Sequence, residues 1–262
     1  MLAGEDDWPP LARAAGPADH PVPVFESNAL AAVHSRGVGS TLGQAALAAV
    51  ARGALSTLQE RTVRRACPAL VTRGAFWLGD GPGVGKSRVL AAVAMQHGAT
   101  RVLWVTASAA LRAPARREVE AVWGADAVAT NWPVDQSSGG AGGAIGAGAG
   151  GATGAGATGA EADGLRLITY AQLVGGRAAE ATAWLGGAQG TGGAGGGLLL
   201  LDECHRLRRP RTAASRAVAG LRGRLTGLHV LFCSATLGSA PGLRVFELSG
   251  LHRACGLNER AL

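Results

Sequence analysis

Hydrophobic residues in this chain fall into short blocks separated by polar or glycine-rich turns. Four-to-six-residue apolar runs occur at 74–78, 101–106, 165–170, 198–201 and 228–233. Runs of that length, flanked by turn residues, predict buried strands. Between them lie segments with helical spacing. One spans 55–66 with Ser56 or Thr57 available as its cap, one spans 87–97 and is closed by Gly98, and one has a possible proline start at Pro114 and leads to Trp123. Strands alternating with helices predict an α/β fold, with a mainly parallel sheet and helices on both faces. In such sheets a ligand sits beyond the carboxyl ends of the strands.

The pattern lapses in three places. Residues 1–22 are rich in Pro and Ala and read as a disordered tail. Residues 137–160 are nearly pure Gly, Ala, Ser and Thr, and 186–197 form a second glycine-rich stretch. Neither stretch has enough apolar surface to offset the entropy of ordering it, so both are expected to be disordered inserts. What remains, 23–262, is expected to be a single domain. With 47% apolar residues but only 4% aromatics, its core is expected to be layers of Leu, Val and Ala.

Composition adds one sharp feature. The chain has a single lysine, Lys86, among twenty-four arginines. It lies in Gly79-Asp-Gly-Pro-Gly-Val-Gly-Lys-Ser87, between an expected strand and an expected helix. A compact ammonium on a flexible stem differs in function from a planar guanidinium. Strand, glycine turn and Lys-Ser opening a helix form a P-loop arrangement, in which backbone N–H groups and the helix N-terminus cradle phosphates. Asp80, Gly81, Gly83, Val84, Gly85, Lys86 and Ser87 are the candidate nucleotide-binding residues. Lys86 would reach the β- and γ-phosphates, and Ser87 would bind Mg²⁺. Asp80 departs from the strict pattern, which has glycine there.

Two further strands end in candidate chemistry. Leu198–Leu201 runs into Asp202-Glu-Cys-His205. Two carboxylates at a strand end suit Mg-nucleotide chemistry, with Asp202 holding the metal through water and Glu203 orienting and deprotonating the attacking water. His205 would couple nucleotide state to a bound strand or a second lobe. Cys204 reads as a packed small side chain. The last strand ends in Ser234-Ala-Thr236, whose hydroxyls would bond the 202–205 loop. Gln59 leaves two readings open, an adenine-edge contact or an ordinary solvated helix residue. The arginines at 206, 208, 209, 211, 216, 222 and 224 also leave two, a nucleic-acid surface or a solvated face in an arginine-biased chain.

The net charge of +7 fits a polyanion-binding surface. Cys67, Cys204, Cys233 and Cys255 show no CxxC spacing, which favours free thiols in a reducing compartment over a disulfide or zinc site. No apolar run is long enough for a membrane span and the N-terminus does not look like a targeting segment, so a soluble, intracellular protein is expected.

The order of P-loop, Asp-Glu-Cys-His and Ser-Ala-Thr resembles the first RecA-like lobe of superfamily 2 helicases. Within that group the chain resembles the strawberry notch family. The matching blocks are His20-Pro-Val-Pro-Val-Phe-Glu-Ser-Asn-Ala-Leu-Ala-Ala-Val33, Leu55-Ser-Thr-Leu-Gln-Glu60, Leu78-Gly-Asp-Gly-Pro-Gly-Val-Gly-Lys86, Leu103-Trp-Val-Thr-Ala-Ser108, Ile168-Thr-Tyr-Ala-Gln-Leu173 and Asp202-Glu-Cys-His-Arg206. That family also carries Gly-Asp-Gly in its loop, which makes Asp80 a family trait. The resemblance implies a three-layer RecA-like P-loop NTPase lobe that uses ATP and Mg²⁺. It also implies a nuclear protein in transcription regulation, with DNA, RNA or chromatin-associated proteins as partners. The residues after Thr236 are too few for a second RecA-like lobe, so hydrolysis is expected to be weak without one. A non-catalytic nuclear scaffold or co-regulator on the same fold is the alternative. A P-loop kinase or GTPase is disfavoured by Asp-Glu-Cys-His and by the lack of a guanine-reading N-K-x-D motif.

Overall fold

The computed structural model describes residues 41–79, 83–125, 164–187, 197–207, 209 and 211–235. The expected tail, the 137–160 insert, most of the 186–197 insert, and Asp80, Gly81, Arg208, Thr236 and Cys255 lie outside the described residues.

Five strands form one sheet: β1 (Ala75–Leu78), β2 (Arg101–Thr106), β3 (Gly164–Thr169), β4 (Leu198–Leu201) and β5 (His229–Cys233). Their spatial order is β1-β5-β4-β2-β3, and every pairing is parallel. Leu200, for example, stands opposite Trp104 on one side and Leu231 on the other. Six longer helices accompany them: α1 (Gln44–Ala51), α2 (Thr57–Arg73), α3 (Lys86–His97), α4 (Arg112–Trp123), α5 (Ala178–Gly186) and α6 (Ala213–Arg224).

Strand alternation sends successive side chains to opposite faces. Leu198 and Leu200 pack into a layer with Val63, Leu70, Leu90 and Val119 of α2, α3 and α4. Leu199 and Leu201 pack into the other layer, with Leu185 of α5 and Val218 and Leu221 of α6. All four leucines are fully buried. A run of four leucines is therefore what a central strand covered on both faces requires. The core is not confined to small aliphatics, as composition had suggested. Trp104 fills one layer, and Trp77 and Trp184 fill the other, each at most 2% exposed.

Helix boundaries follow capping chemistry. Ser56 caps α2 through a reciprocal box: its hydroxyl accepts from the Gln59 amide at 3.3 Å, and the Gln59 Oε1 accepts from the Ser56 amide at 2.9 Å. The helix runs past 66 to Arg73, although Pro68 lies inside it. Burial of Cys67 and Leu70 below the proline offsets the backbone bond that Pro68 cannot make. It ends at Gly74 in the left-handed region. The helix expected to begin at Pro114 begins at Arg112, which leaves Pro114 in the first turn, where its missing N–H costs nothing.

Candidate nucleotide site

The sheet's carboxyl edge brings three loops together. The first leaves β1 and enters α3. Gly83 (φ 84°) and Gly85 (φ 76°) hold left-handed backbone, and Gly85 is the N-cap of α3. Lys86 and Ser87 form the first turn of that helix, half-buried at its positive end. Gln59 steadies this loop from α2, because its Nε2 donates to the Val84 carbonyl at 3.0 Å. A Cβ on Gly85 would lie 2.3 Å from that same Nε2. Glycine is thus required at 85 twice, by backbone conformation and by the close approach of Gln59.

The second loop follows β4. The Asp202 amide donates to the Val105 carbonyl at 2.9 Å, which carries the β4 ladder one residue past the strand. The chain then turns sharply. Glu203 adopts φ 52°, the only positive φ at a non-glycine among the described residues. Burial and the neighbouring Glu203 charge push the Asp202 carboxyl up to about 6. The Glu203 amide, the Lys86 ammonium and the Cys233 thiol oppose that rise. Strands β1, β5 and β4 are neighbours, so their carboxyl ends bring the two motifs to one edge.

The third loop leaves β5. The Ser234 amide donates to the Leu78 carbonyl at 3.1 Å, one residue before the P-loop, and the residue is fully buried. His205 Nδ1 lies 3.1 Å from Ser234 Oγ and 3.1 Å from Glu203 Oε2. A carboxylate cannot donate, so the Glu203 contact favours the His205 form that carries its proton on Nδ1. His205 and Ser234 thus tie the acidic turn to the strand that feeds the P-loop.

The structure brings Gly83, Val84, Gly85, Lys86, Ser87, Asp202, Glu203, His205 and Ser234 to one edge of the sheet. Gln59 is neither solvated nor idle: it is 9% exposed, and its amide is engaged by Ser56 and Val84. Cys204 is fully buried and burial pushes its thiol up, as expected of a packed side chain. Cys67, Cys204 and Cys233 are free thiols. Arg206, Arg209, Arg211, Arg216 and Arg224 are exposed on the segment leading into α6 and along it, while Arg222 is partly buried. Sequence reasoning missed the Val84 carbonyl as the partner of Gln59, and it missed Tyr170, whose hydroxyl donates to the Asp202 carbonyl at 2.9 Å. Two signals marked Tyr170, its place directly after β3 and its position inside the Ile168–Leu173 block that resembles the strawberry notch family, but neither names its partner.

The acidic turn fits a divalent cation. Burial, and then the repulsion of the adjacent Glu203 carboxylate, raise the Asp202 carboxyl. No cluster of three or more metal-ligating side chains occurs among the described residues.

The model of the family described as P-loop containing NTP hydrolase pore-1 matches residues 19–246. The chain belongs to that family. The NTP hydrolase pore-1 match takes in the described P-loop, acidic turn and Ser234 together. Among curated proteins, the chain is 29% identical over 258 residues to Protein FORGETTER 1 of Arabidopsis thaliana, covering 91% of this chain and 19% of that protein. It is 29% identical over 241 residues to human strawberry notch homolog 2, covering 85% of this chain and 16% of that protein. The chain therefore spans less than a fifth of the curated relatives it matches. Among solved structures, a variant of S. cerevisiae Dbp5 bound to a Gle1 variant and IP6 superposes with a TM-score of 0.50 at 10% identity, covering 81% of this chain and 51% of that one. At that identity the likeness speaks to fold alone. The fold is a three-layer RecA-like P-loop NTPase lobe, distantly related to strawberry notch proteins. No described helix is long and apolar enough to cross a membrane.

Proposed function

We propose that this chain is the ATP-binding lobe of a strawberry notch-like, helicase-related ATPase acting in nuclear transcription regulation. The observation that carries the reading is the convergence of the glycine loop and the Asp202–Glu203 turn at the sheet's carboxyl edge, where His205 and the Ser234 amide link the acidic turn to Leu78 at the end of β1. The glycine loop and the α3 N-terminus take the phosphates, with Asp80 and Gly81 completing the loop. Lys86 neutralises the β- and γ-oxygens. Ser87 and Asp202 would hold Mg²⁺, which would supply charge neutralisation for the phosphates. Glu203 accepts the proton of the attacking water, and His205, Ser234 and Thr236 pass the state of that turn to the β1 strand end. Gln59, whose amide is taken up by Ser56 and Val84, supports the loop from α2.

Arginine fingers in such motors come from outside the first lobe and are worth on the order of 10³–10⁵ in turnover. Alone, this lobe binds ATP·Mg and hydrolyses it slowly. The exposed arginines at 206–224 face a polyanion, DNA or RNA, or an acidic chromatin-associated protein. The test is ATP affinity and turnover, with and without DNA and RNA, for the wild type, Lys86→Ala and Glu203→Gln. The reading expects Lys86→Ala to lose affinity and Glu203→Gln to keep it while losing turnover. Unchanged affinity in Lys86→Ala overturns it. Robust nucleic-acid-stimulated turnover by this chain alone overturns the dependence on a second lobe.

A further inference from the structure

We propose that Tyr170 is a positioning residue for the acidic turn: its hydroxyl fixes the Asp202–Glu203 peptide group and so holds the Glu203 carboxylate in place. The proposal rests on the ATPase reading above only for its catalytic consequence.

Glu203 sits at φ 52°, a region that side chains other than glycine rarely enter. Such a conformation persists only where its surroundings over-determine it. Here both polar ends of one peptide unit are held. Its carbonyl, on Asp202, accepts from the Tyr170 hydroxyl at 2.9 Å. Its N–H, on Glu203, donates to Asp202 Oδ1 at 3.0 Å. Rotation of that peptide plane would change φ of Glu203 directly, so the two hydrogen bonds set the torsion that aims the carboxylate. The next carbonyl is held as well, because the Arg206 amide donates to the Glu203 oxygen at 3.1 Å.

The Asp202 side chain is an unreliable half of this clamp, because a metal would compete for its oxygens. The Tyr170 half does not change with ligand. Its ring is 3% exposed and packs in the layer with Leu103, Leu173 and Leu201. Its backbone is set by the capping box of Thr169 and Gln172, in which the Thr169 hydroxyl accepts from the Gln172 amide at 3.2 Å and Gln172 Oε1 accepts from the Thr169 amide at 3.0 Å. Gln172 Oε1 also accepts from Arg112 at the start of α4. A tyrosine anchored at the end of β3 and against α4 thus reaches across to the end of β4. Packing alone would be met by phenylalanine, so the hydroxyl carries the role.

Tyr170 is the only tyrosine in the chain, which makes the test clean. In ligand-free protein, Tyr170→Phe is expected to raise hydrogen exchange of the Glu203 amide by about tenfold or more while leaving the β4 and β5 amides protected. It is expected to lower the melting midpoint by about 3 °C. In a Glu203→Gly background, where the left-handed turn needs no support, the same change should lower it by half that or less. In turnover, kcat should fall while KM for ATP stays. Equal midpoint losses in both backgrounds, or unchanged Glu203 exchange, overturn the proposal and leave Tyr170 as packing. If Tyr170→Phe does not fold, 3-fluorotyrosine labels this position alone. Its ¹⁹F resonance should differ between the wild type and Glu203→Gly, and an identical resonance overturns the proposal. The exchange and midpoint arms need no nucleotide, so they decide the role of Tyr170 even if ATP proves not to bind.

Discussion

The two ends of the sheet spend their polar groups in opposite ways. At the amino end, His97 Nε2 and His229 Nδ1 face each other at 2.6 Å, with the rings edge to face. Arg101 donates to the Trp184 carbonyl at 2.5 Å, and the guanidinium of Arg166 lies 4.4 Å from the centre of the Trp184 ring. These groups pair mainly with one another, although His97 Nδ1 is left without a partner. At the carboxyl end, Lys86, Ser87, Asp202, Glu203 and His205 are all half-buried. Two carboxylates are adjacent, and Glu203 is held in a strained conformation. A fold gains nothing in stability from crowding like charges beside strained backbone. Such an arrangement is expected where a ligand completes the charge balance.

Chemistry and stability should separate between the two ends. Glu203→Gln removes the proton acceptor and keeps the shape, so turnover should fall by about a hundredfold or more with ATP affinity retained. Steady-state kinetics with a separate binding titration checks it. The largest purely structural effect belongs to the other end. Trp184→Ala should cost on the order of 3–5 kcal/mol of stability by denaturant unfolding, leaving nucleotide affinity of the folded fraction unchanged. Gly85→Ala crosses the divide. It places a Cβ 2.3 Å from Gln59 Nε2 on left-handed backbone, so it should cost about 1–3 kcal/mol and weaken ATP binding as well. An accompanying Gln59→Ala change should recover part of the stability, because it removes the overlap but not the strain.

The sheet was legible because its signal is local. Arg101–Thr106 and Leu198–Leu201 are strands with the bounds that the apolar runs mark, and the other three differ from theirs by one residue at an end or by a one-residue shift. The P-loop, the acidic pair and Ser234 were legible because each follows directly on a strand, and parallel strands bring such ends together. The rest depends on neighbours that are distant in sequence. Gln59 meets Val84 across 25 residues, and Tyr170 meets Asp202 across 32. A glutamine in a helix and a tyrosine after a strand carry no mark of those partners. The length of α2 was hidden for a related reason, since an internal proline predicts a stop unless burial below it is known. The cores of both layers also hold tryptophans that composition alone did not assign to them.

The two ends should respond to pH with opposite sign. Burial, and then the charge of His229, lower His97 to about 4, and burial lowers His229 as well. A proton added to His97 Nδ1 would enter a buried position with no acceptor. The unfolded chain takes up these protons below about 6.5 and the folded chain resists, so this pair removes stability as pH falls from about 6.5 toward 4. Allowing for solvent screening, the loss by pH 5 should be on the order of 1–2 kcal/mol. Asp202 does the reverse. Its folded value of about 6 lies above the ordinary 3.8, so the folded, ligand-free protein takes up that proton more readily and gains stability as pH falls through 6 toward 4. The windows overlap, so the wild-type profile should look flatter than either contribution. Unfolding free energy measured from pH 7.5 to 4.5 separates them. His229→Gln should lose less stability than the wild type as pH falls, and Asp202→Asn should lose more. If both variants shift the profile in the same direction, the two ends do not differ in the way their geometry implies.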